Sequence, residues 1–324
     1  MSILVLNKGW LTTVQDLGRP GYAQYGINRS GAMDPLALQA GNYLVHNEGS
    51  EAALEICFPA SGFLFLEPTL MVLAGADFGA SIDGKPIRPY QPAWVGTGAE
   101  LHFQHKHWGQ YAYLCVHGGF DLKPWLSSQS TNLKATQGGW QGRGLQKGDV
   151  LPLIKTASSI AEETRIASYY AKLVPFYDSK SIRFIPGQHF EVLTQASQAL
   201  LSTQNWKITP ASDRMGYRLQ GERLQLIQEQ SLLSAGLSRG SIQLPPNGQP
   251  IVLMADHQTT GGYPILGQII QADWPKLAQK GPGQNFQFQP TTLAYAAHAL
   301  QRQIMGLNQI RWGASLALKP FQSR

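Results

Sequence analysis

Three stretches of the chain concentrate side chains able to bind and polarise a small molecule. In the first, "ADHQTTGGYP" (255–264), the apolar run "PIVLM" empties into Asp256, Gln258, Thr259, Thr260 and Tyr263 around two glycines. A glutamine amide offers a donor and an acceptor and each threonine a rotatable hydroxyl, so Gln258, Thr259 and Thr260 match an amide or ureido group. Gly261 and Gly262 let backbone approach closely. The second stretch, "GWLTTVQDLGRPGYAQYGINRSGAMDP" (9–35), holds Asp16, Arg19, Ser30 and Asp34; the third, "SDRMGYRL" (212–219), sets Asp213 beside Arg214. The chemistry this set offers is anion binding by the Arg214 fork, oriented by Asp213, with Asp16 or Asp256 handling a proton. Arg19, Ser30 and Tyr263 complete the candidate substrate contacts. Purely structural roles stand beside these: Asp16 and Arg19 as a local ion pair, Asp34 as a helix cap, Asp213 and Arg214 as a pair at a turn.

Other motifs point nowhere. "GASIDGK" (79–85) has the spacing of a phosphate-binding loop, but Pro86 stands where a Ser or Thr should hold magnesium, and Asp83-Gly84 reads as a hairpin turn. "GLSRG" (236–240) fits the nucleophile-elbow spacing, yet "SIQLPPNG" follows, a strand rather than the helix an elbow needs. On a strand, His105 and His107 of "HFQHKH" face one way and His102 the other, with no carboxylate to complete a metal site.

The elements that must position these groups are mainly strands. The chain has 34 Gly and 20 Pro punctuating short alternating apolar runs. Helices are predicted at 34–46, with Asp34 as N-cap and Pro35 in the first turn, at 190–202, and at 291–305. Two cysteines without a CxxC pair exclude a disulfide framework or thiolate metal site. The net charge of +6 is scattered over a chain with only 14% charged residues, which argues against nucleic acid. No apolar run is long enough to span a membrane and the N-terminus does not read as a signal peptide, so a reduced, cytoplasmic, soluble protein is expected.

Self-comparison pairs "ADFGASIDGKPI" with "SDRMGYRLQGERL", placing Asp77 against Asp213 and Phe78 against Arg214. "GQYAYLCVHGGF" pairs with "GQPIVLMADHQTTGGY", and "LQKGDVLPL" with "AQKGPGQNFQF". Matches in the same order point to an internal duplication, with 155–181 as the linker between the copies. Two β-barrel lobes are expected because closure removes exposed edges. The first lobe is placed at 1–172 with the N-terminal motif segment, the second at 173–324 with a C-terminal helix.

Together, "TTVQDLGRPG", "SGAMDPLALQAGNYLV", "SDRMGYRL", "GSIQLPPNGQPIVLMADHQTTGGYP" and "LAQKGPG" resemble the carboxyltransferase-like family. It includes the C component of ATP-dependent 5-oxoprolinase, allophanate hydrolase subunit 2, KipA proteins and the carboxyltransferase region of urea carboxylase. The resemblance implies two cyclophilin-like lobes, a partner of the 5-oxoprolinase B component or KipI type, and, for 5-oxoprolinase, the A component as well. It further implies hydrolytic opening of a lactam, 5-oxoproline, to glutamate, with ATP used by the complex rather than bound by this chain alone. A biotin-dependent carboxyltransferase, with biotin as cofactor, and a KipA-like regulatory binding protein are the alternatives. Two positions depart from the family pattern: Ala235, where an acidic residue is common, and His257, frequently arginine. Either bears on the substrate class.

Overall fold

The computed structural model describes residues 2–154, 165–167, 170–228 and 232–317. The expected linker, 155–181, therefore lies partly outside the described residues. The chain divides into two compact units: Met1–Arg19, Ser30–Pro175 and Met305–Arg324 in one, Pro20–Arg29 and Phe176–Ile304 in the other.

The strands of the first unit are β1 (Ser2–Val5), β2 (Thr12–Gln15), β3 (Ala53–Ile56), β4 (Phe63–Phe65), β5 (Thr69–Asp77), β6 (Ala80–Ile82), β7 (Lys85–Pro86), β8 (Ala93–Val95), β9 (Glu100–Phe103), β10 (Trp108–Val116), β11 (Val150–Pro152) and β12 (Arg165–Ile166). They lie in two six-stranded sheets, ordered β11-β1-β4-β9-β6-β7 and β12-β8-β5-β10-β3-β2. One core, including Ile3, Phe63, Phe65, Leu73, Phe78 and Leu114, fills this unit. The sequence "TLMVLAGAD" of β5 is buried almost throughout, as expected of a central strand covered on both faces. Helix α1 (Pro35–Leu44) covers one of these faces, and Asp34 caps it by accepting from the Ala37 N–H at 2.9 Å, as its sequence predicts. It approaches so closely at Gly41 that a Cβ there would meet Cys115 Sγ at 2.6 Å.

The second unit holds β13 (Ser181–Pro186), β14 (Trp206–Ile208), β15 (Gly216–Gln220), β16 (Ala235–Gly236), β17 (Ser241–Gln243), β18 (Ile251–Leu253), β19 (Thr260–Gly261), β20 (Ile265–Ile269) and β21 (Asn285–Pro290). Seven of these close a barrel in the order β13-β20-β17-β18-β15-β14-β21, and β16 and β19 form a separate two-stranded ribbon. The remaining helices are α2 (Val174–Tyr177), α3 (Gln195–Thr203), α4 (Trp274–Ala278) and α5 (Leu293–Ala317).

The helix expected at 190–202 begins later: Phe190–Val192 makes one 3-10 turn, Leu193 is extended, and Thr194 caps α3 by accepting from the Ser197 N–H. That at 291–305 is longer than expected, reaching Ala317. Within the run "PIVLM" only β18 is strand, and beyond it the Met254 and Asp256 N–H groups donate to the carbonyls of Met215 and Arg214. "GASIDGK" folds as the β6–β7 hairpin, with Asp83 and Gly84 at φ 50° and 77°. "HFQHKH" leaves its strand at Phe103, so His105 and His107 lie in a loop with rings 4.1 Å apart. No helix among the described residues is long and apolar enough to cross a membrane.

Candidate functional site

In the second unit, strands β15, β18 and β17 lie side by side and form one wall of a cavity of about 490 Å³. Of the residues singled out from sequence, Asp213, Gln258 and Tyr263 line it. Arg214, Asp256, Thr259 and Thr260 are not among the residues that line it. Asp213 and Met215 line the cavity, whereas Arg214, in the bend before β15, is 6% exposed. Thr260 instead builds the ribbon, pairing with Gly236, while the Thr259 carbonyl accepts from the Leu237 N–H.

The cavity also contains groups not anticipated. Gln243, at the end of β17, is 1% exposed, and its Nε2 donates to no described atom; Thr209 Oγ1, on the same lining, is likewise buried and unpartnered. The signal for Gln243 was a polar residue inside the apolar run "SIQL", which reads as an ordinary outward-facing strand position until the partner strands are known. Gly261 answers why glycine follows the threonines. A Cβ there would stand 2.9 Å from both Gln243 Nε2 and Leu237 Cδ1, so a side chain at this position would have to displace one or both of them.

Behind the wall, Arg214 donates from Nε and Nη2 to the Asp256 carboxylate at 2.7 and 3.1 Å, a two-point ion pair with both side chains largely buried. Asp213 does not hold Arg214 as expected. Its Oδ1 accepts from the Met215 and Gly216 N–H groups at 2.8 and 3.1 Å and fixes the turn into β15. Asn28 Nδ2 donates to the Asp256 carbonyl at 3.0 Å. His257 is 6% exposed, with Nδ1 against the Gln258 carbonyl at 2.7 Å. Burial, with a further contribution from Arg239, lowers its pKa below the ordinary value, against opposing contributions from that hydrogen bond and from Asp256.

The first unit ties Asp16, Arg19 and Ser30 into a different arrangement. Asp16 Oδ1 accepts from the Gly18 N–H at 2.7 Å, Ser128 Oγ at 2.7 Å and Ser130 Oγ at 2.5 Å, and Oδ2 from the Gln129 N–H at 2.7 Å. Arg19, 1% exposed, donates from Nη2 to the Ser130 carbonyl and lies over the Trp125 ring at 4.7 Å. Asp16 is thus the anchor of the 125–142 loop, whose Leu126, Ser127, Thr136 and Gln141 all have positive φ. Ser30, itself at φ 55°, buries an Oγ with no described partner. The serines were legible only as the polar cluster "SSQST" ahead of "GG". Among the described residues no group of His, Cys, Asp and Glu could hold a metal ion.

Strand order, closed barrel and polar-lined cavity define a carboxyltransferase-type β protein, and residues 25–290 match the carboxyltransferase domain family, subdomain A and B: the chain belongs to that family. It is 40% identical over 301 residues to the C component of 5-oxoprolinase from Haemophilus influenzae, covering 92% of this chain and 94% of that protein. It is 38% identical over 314 residues to the C component of 5-oxoprolinase from Escherichia coli, covering 95% and 97%. Among solved structures, Kluyveromyces lactis urea carboxylase superposes on 97% of this chain with a TM-score of 0.87 at 26% identity, and this chain spans 29% of that longer one.

Proposed function

We propose that this chain is the C component of a cytoplasmic, ATP-dependent 5-oxoprolinase, a hydrolase active only when assembled with its A and B components. The carrying observation is the nearly end-to-end relation, at 38% and 40% identity, to two such C components. The cavity is in keeping with it: Gln258 presents an amide and Tyr263 a phenol beside Asp213, groups complementary to a lactam. ATP would supply activation of the lactam carbonyl in the complex. The stretch of this chain with phosphate-loop spacing is a β-hairpin, so the chain's own task is to seat the ring, exclude water and hold the opening carbonyl in place.

In this reading Arg214 and Asp256 position the cavity wall from behind, and Asp213 sets the turn that presents Met215 and its own carboxylate to the substrate. Asp16, Arg19 and Ser30 shape the loop architecture of the first unit.

The likeness to urea carboxylase supports a second reading, a biotin-dependent carboxyltransferase, and a KipA-like regulatory role would require only binding of a KipI-type partner. Reconstitution separates the three. Purified chain mixed with the A and B components, 5-oxoproline and ATP is expected to release glutamate, and leaving out this chain should stop it. Unchanged release without the chain would sink the 5-oxoprolinase reading. Carboxyl transfer with a biotinylated carrier, in place of glutamate release, would establish the second.

A further inference from the structure

We propose that one row of side chains across the barrel wall, Arg218, Ile251 and Gln243, recognises a small molecule carrying a carbonyl acceptor at one end and a carboxylate at the other. The assignment of 5-oxoproline as that molecule rests on the function proposed above; the recognition row does not.

Four observations carry it. First, the ladder register pairs Arg218 with Ile251 and Ile251 with Gln243, so the three occupy one row on adjacent strands, and all three line the cavity. Residues directly opposite in a ladder project to the same face, and two strand spacings separate the ends of the row by about 10 Å. The reach of the Arg218 and Gln243 side chains from either end leaves room for one small ring over the apolar Ile251. Second, Gln243 Nε2 is buried and unpartnered in a residue 1% exposed. A buried amide donor left unsatisfied is rare and costly, and Gln243 belongs to the lining of a polar cavity, where a bound acceptor would satisfy it.

Third, the ladder between β17 and β20 shifts register between Ile242 and Gln243. The extra residue, Leu266, is on β20, so Gln243 keeps the regular row set by β18, and such bulges are common beside binding sites. Fourth, Arg218 is the cation and Asp213 the acid of the lining, and the Asp213 carboxylate is already engaged by two backbone N–H groups. An anionic end group of the ligand is thus directed to Arg218, at the exposed end of the row, and the neutral carbonyl to Gln243 at the buried end. The desolvated end takes the uncharged group, which is the order that burial energetics require.

The experiment is calorimetric titration of the full chain with three probes: 5-oxoproline, 2-pyrrolidinone, which lacks the carboxylate, and N-acetylglycine, an open amide with a carboxylate. Wild type is expected to bind the two carboxylated probes more tightly than 2-pyrrolidinone. Gln243→Met, which keeps the volume and removes the donor, should weaken all three by about tenfold, the value of one good hydrogen bond. Arg218→Ala should weaken only the carboxylated probes, by about fivefold, as for a partly solvated ion pair. A circular dichroism melt verifies that each variant is folded. Wild-type affinities in both folded variants, or no binding of any probe by wild type, overturn the proposal.

The two readings fail separately. If glutamate release requires the chain but is indifferent to Gln243→Met and Arg218→Ala, the row is wrong and the function stands. If both variants lose N-acetylglycine while omission of the chain leaves glutamate release intact, the row stands and the function falls.

Discussion

Asp77 and Asp213 end comparable segments of the two units and do the same local work: Asp77 Oδ1 accepts from the N–H of Gly79, Asp213 Oδ1 from that of Met215, each two residues on. The next residue separates them. Phe78 is 1% exposed and packs against Phe58 and Phe103 at ring distances of 5.5 and 6.4 Å, whereas Arg214 is 6% exposed and forks onto Asp256. The same turn thus delivers an apolar anchor in one unit and a buried cation in the other. The strands that follow also join different ladders, β6 beside β7 and β9, β15 beside β14 and β18. A local turn can be duplicated without its surroundings. The buried ion pair of Arg214 and Asp256 has no counterpart at Phe78.

Removing that pair by halves should have the largest effect. Arg214→Ala leaves Asp256 as an uncompensated charge, and denaturant unfolding should show a loss of about 4 kcal/mol, mostly recovered when Asp256→Leu is added. A loss under about 1 kcal/mol would mean the pair is solvated and the comparison with Phe78 empty.

Phe78→Ala, the matching change in the first unit, should cost about 3 kcal/mol through an unfilled cavity. Its cost should be insensitive to salt and to pH, unlike that of Arg214→Ala.

The first unit buries a carboxylate too, but Asp16 is met by neutral donors, two serine hydroxyls and two backbone N–H groups. Asp16→Asn keeps the shape and turns one acceptor into a donor facing other donors, at about 2 kcal/mol by the same measurement. Proteolysis within 125–142 should increase in parallel. An unaltered loop would show that Asp16 is not its anchor.

The smallest effect is the pH dependence that His257 contributes in the second unit. His257 has a folded pKa below its ordinary 6.5, so between that value and the lower folded one the unfolded chain binds more protons. Its contribution to stability is present above pH 6.5 and is lost as pH falls. His257→Phe should flatten the decline in Tm below that pH, leaving the part due to His46, whose pKa burial also lowers. Because Asp256 opposes the shift, Asp256→Asn should move the His257 titration lower still in NMR. An unmoved titration would place the two groups out of electrical contact.

Local signals were legible without the fold. Asp34 and Pro35 announced α1 and Asp83-Gly84 announced a hairpin, because each depends on a few neighbouring residues. Family membership was legible as well, since it lies in the order of long motifs. Of the candidate site, Asp213, Gln258 and Tyr263 were found, because short polar groups crowded round glycine at a strand end are visible in one stretch.

What the chain alone could not show was partnership. Arg214 meets Asp256 across 42 residues and Asp16 meets Ser130 across 114. Gln243 faces the cavity because of the register of β17 on β18. Alternation along a strand says that neighbours point to opposite sides but leaves open which side is inside, and one residue of slip reverses every side chain. Composition and local spacing therefore determined the strands, the turns and the kind of polar group available. Only barrel closure decided which of those groups share a hollow and which support it from behind.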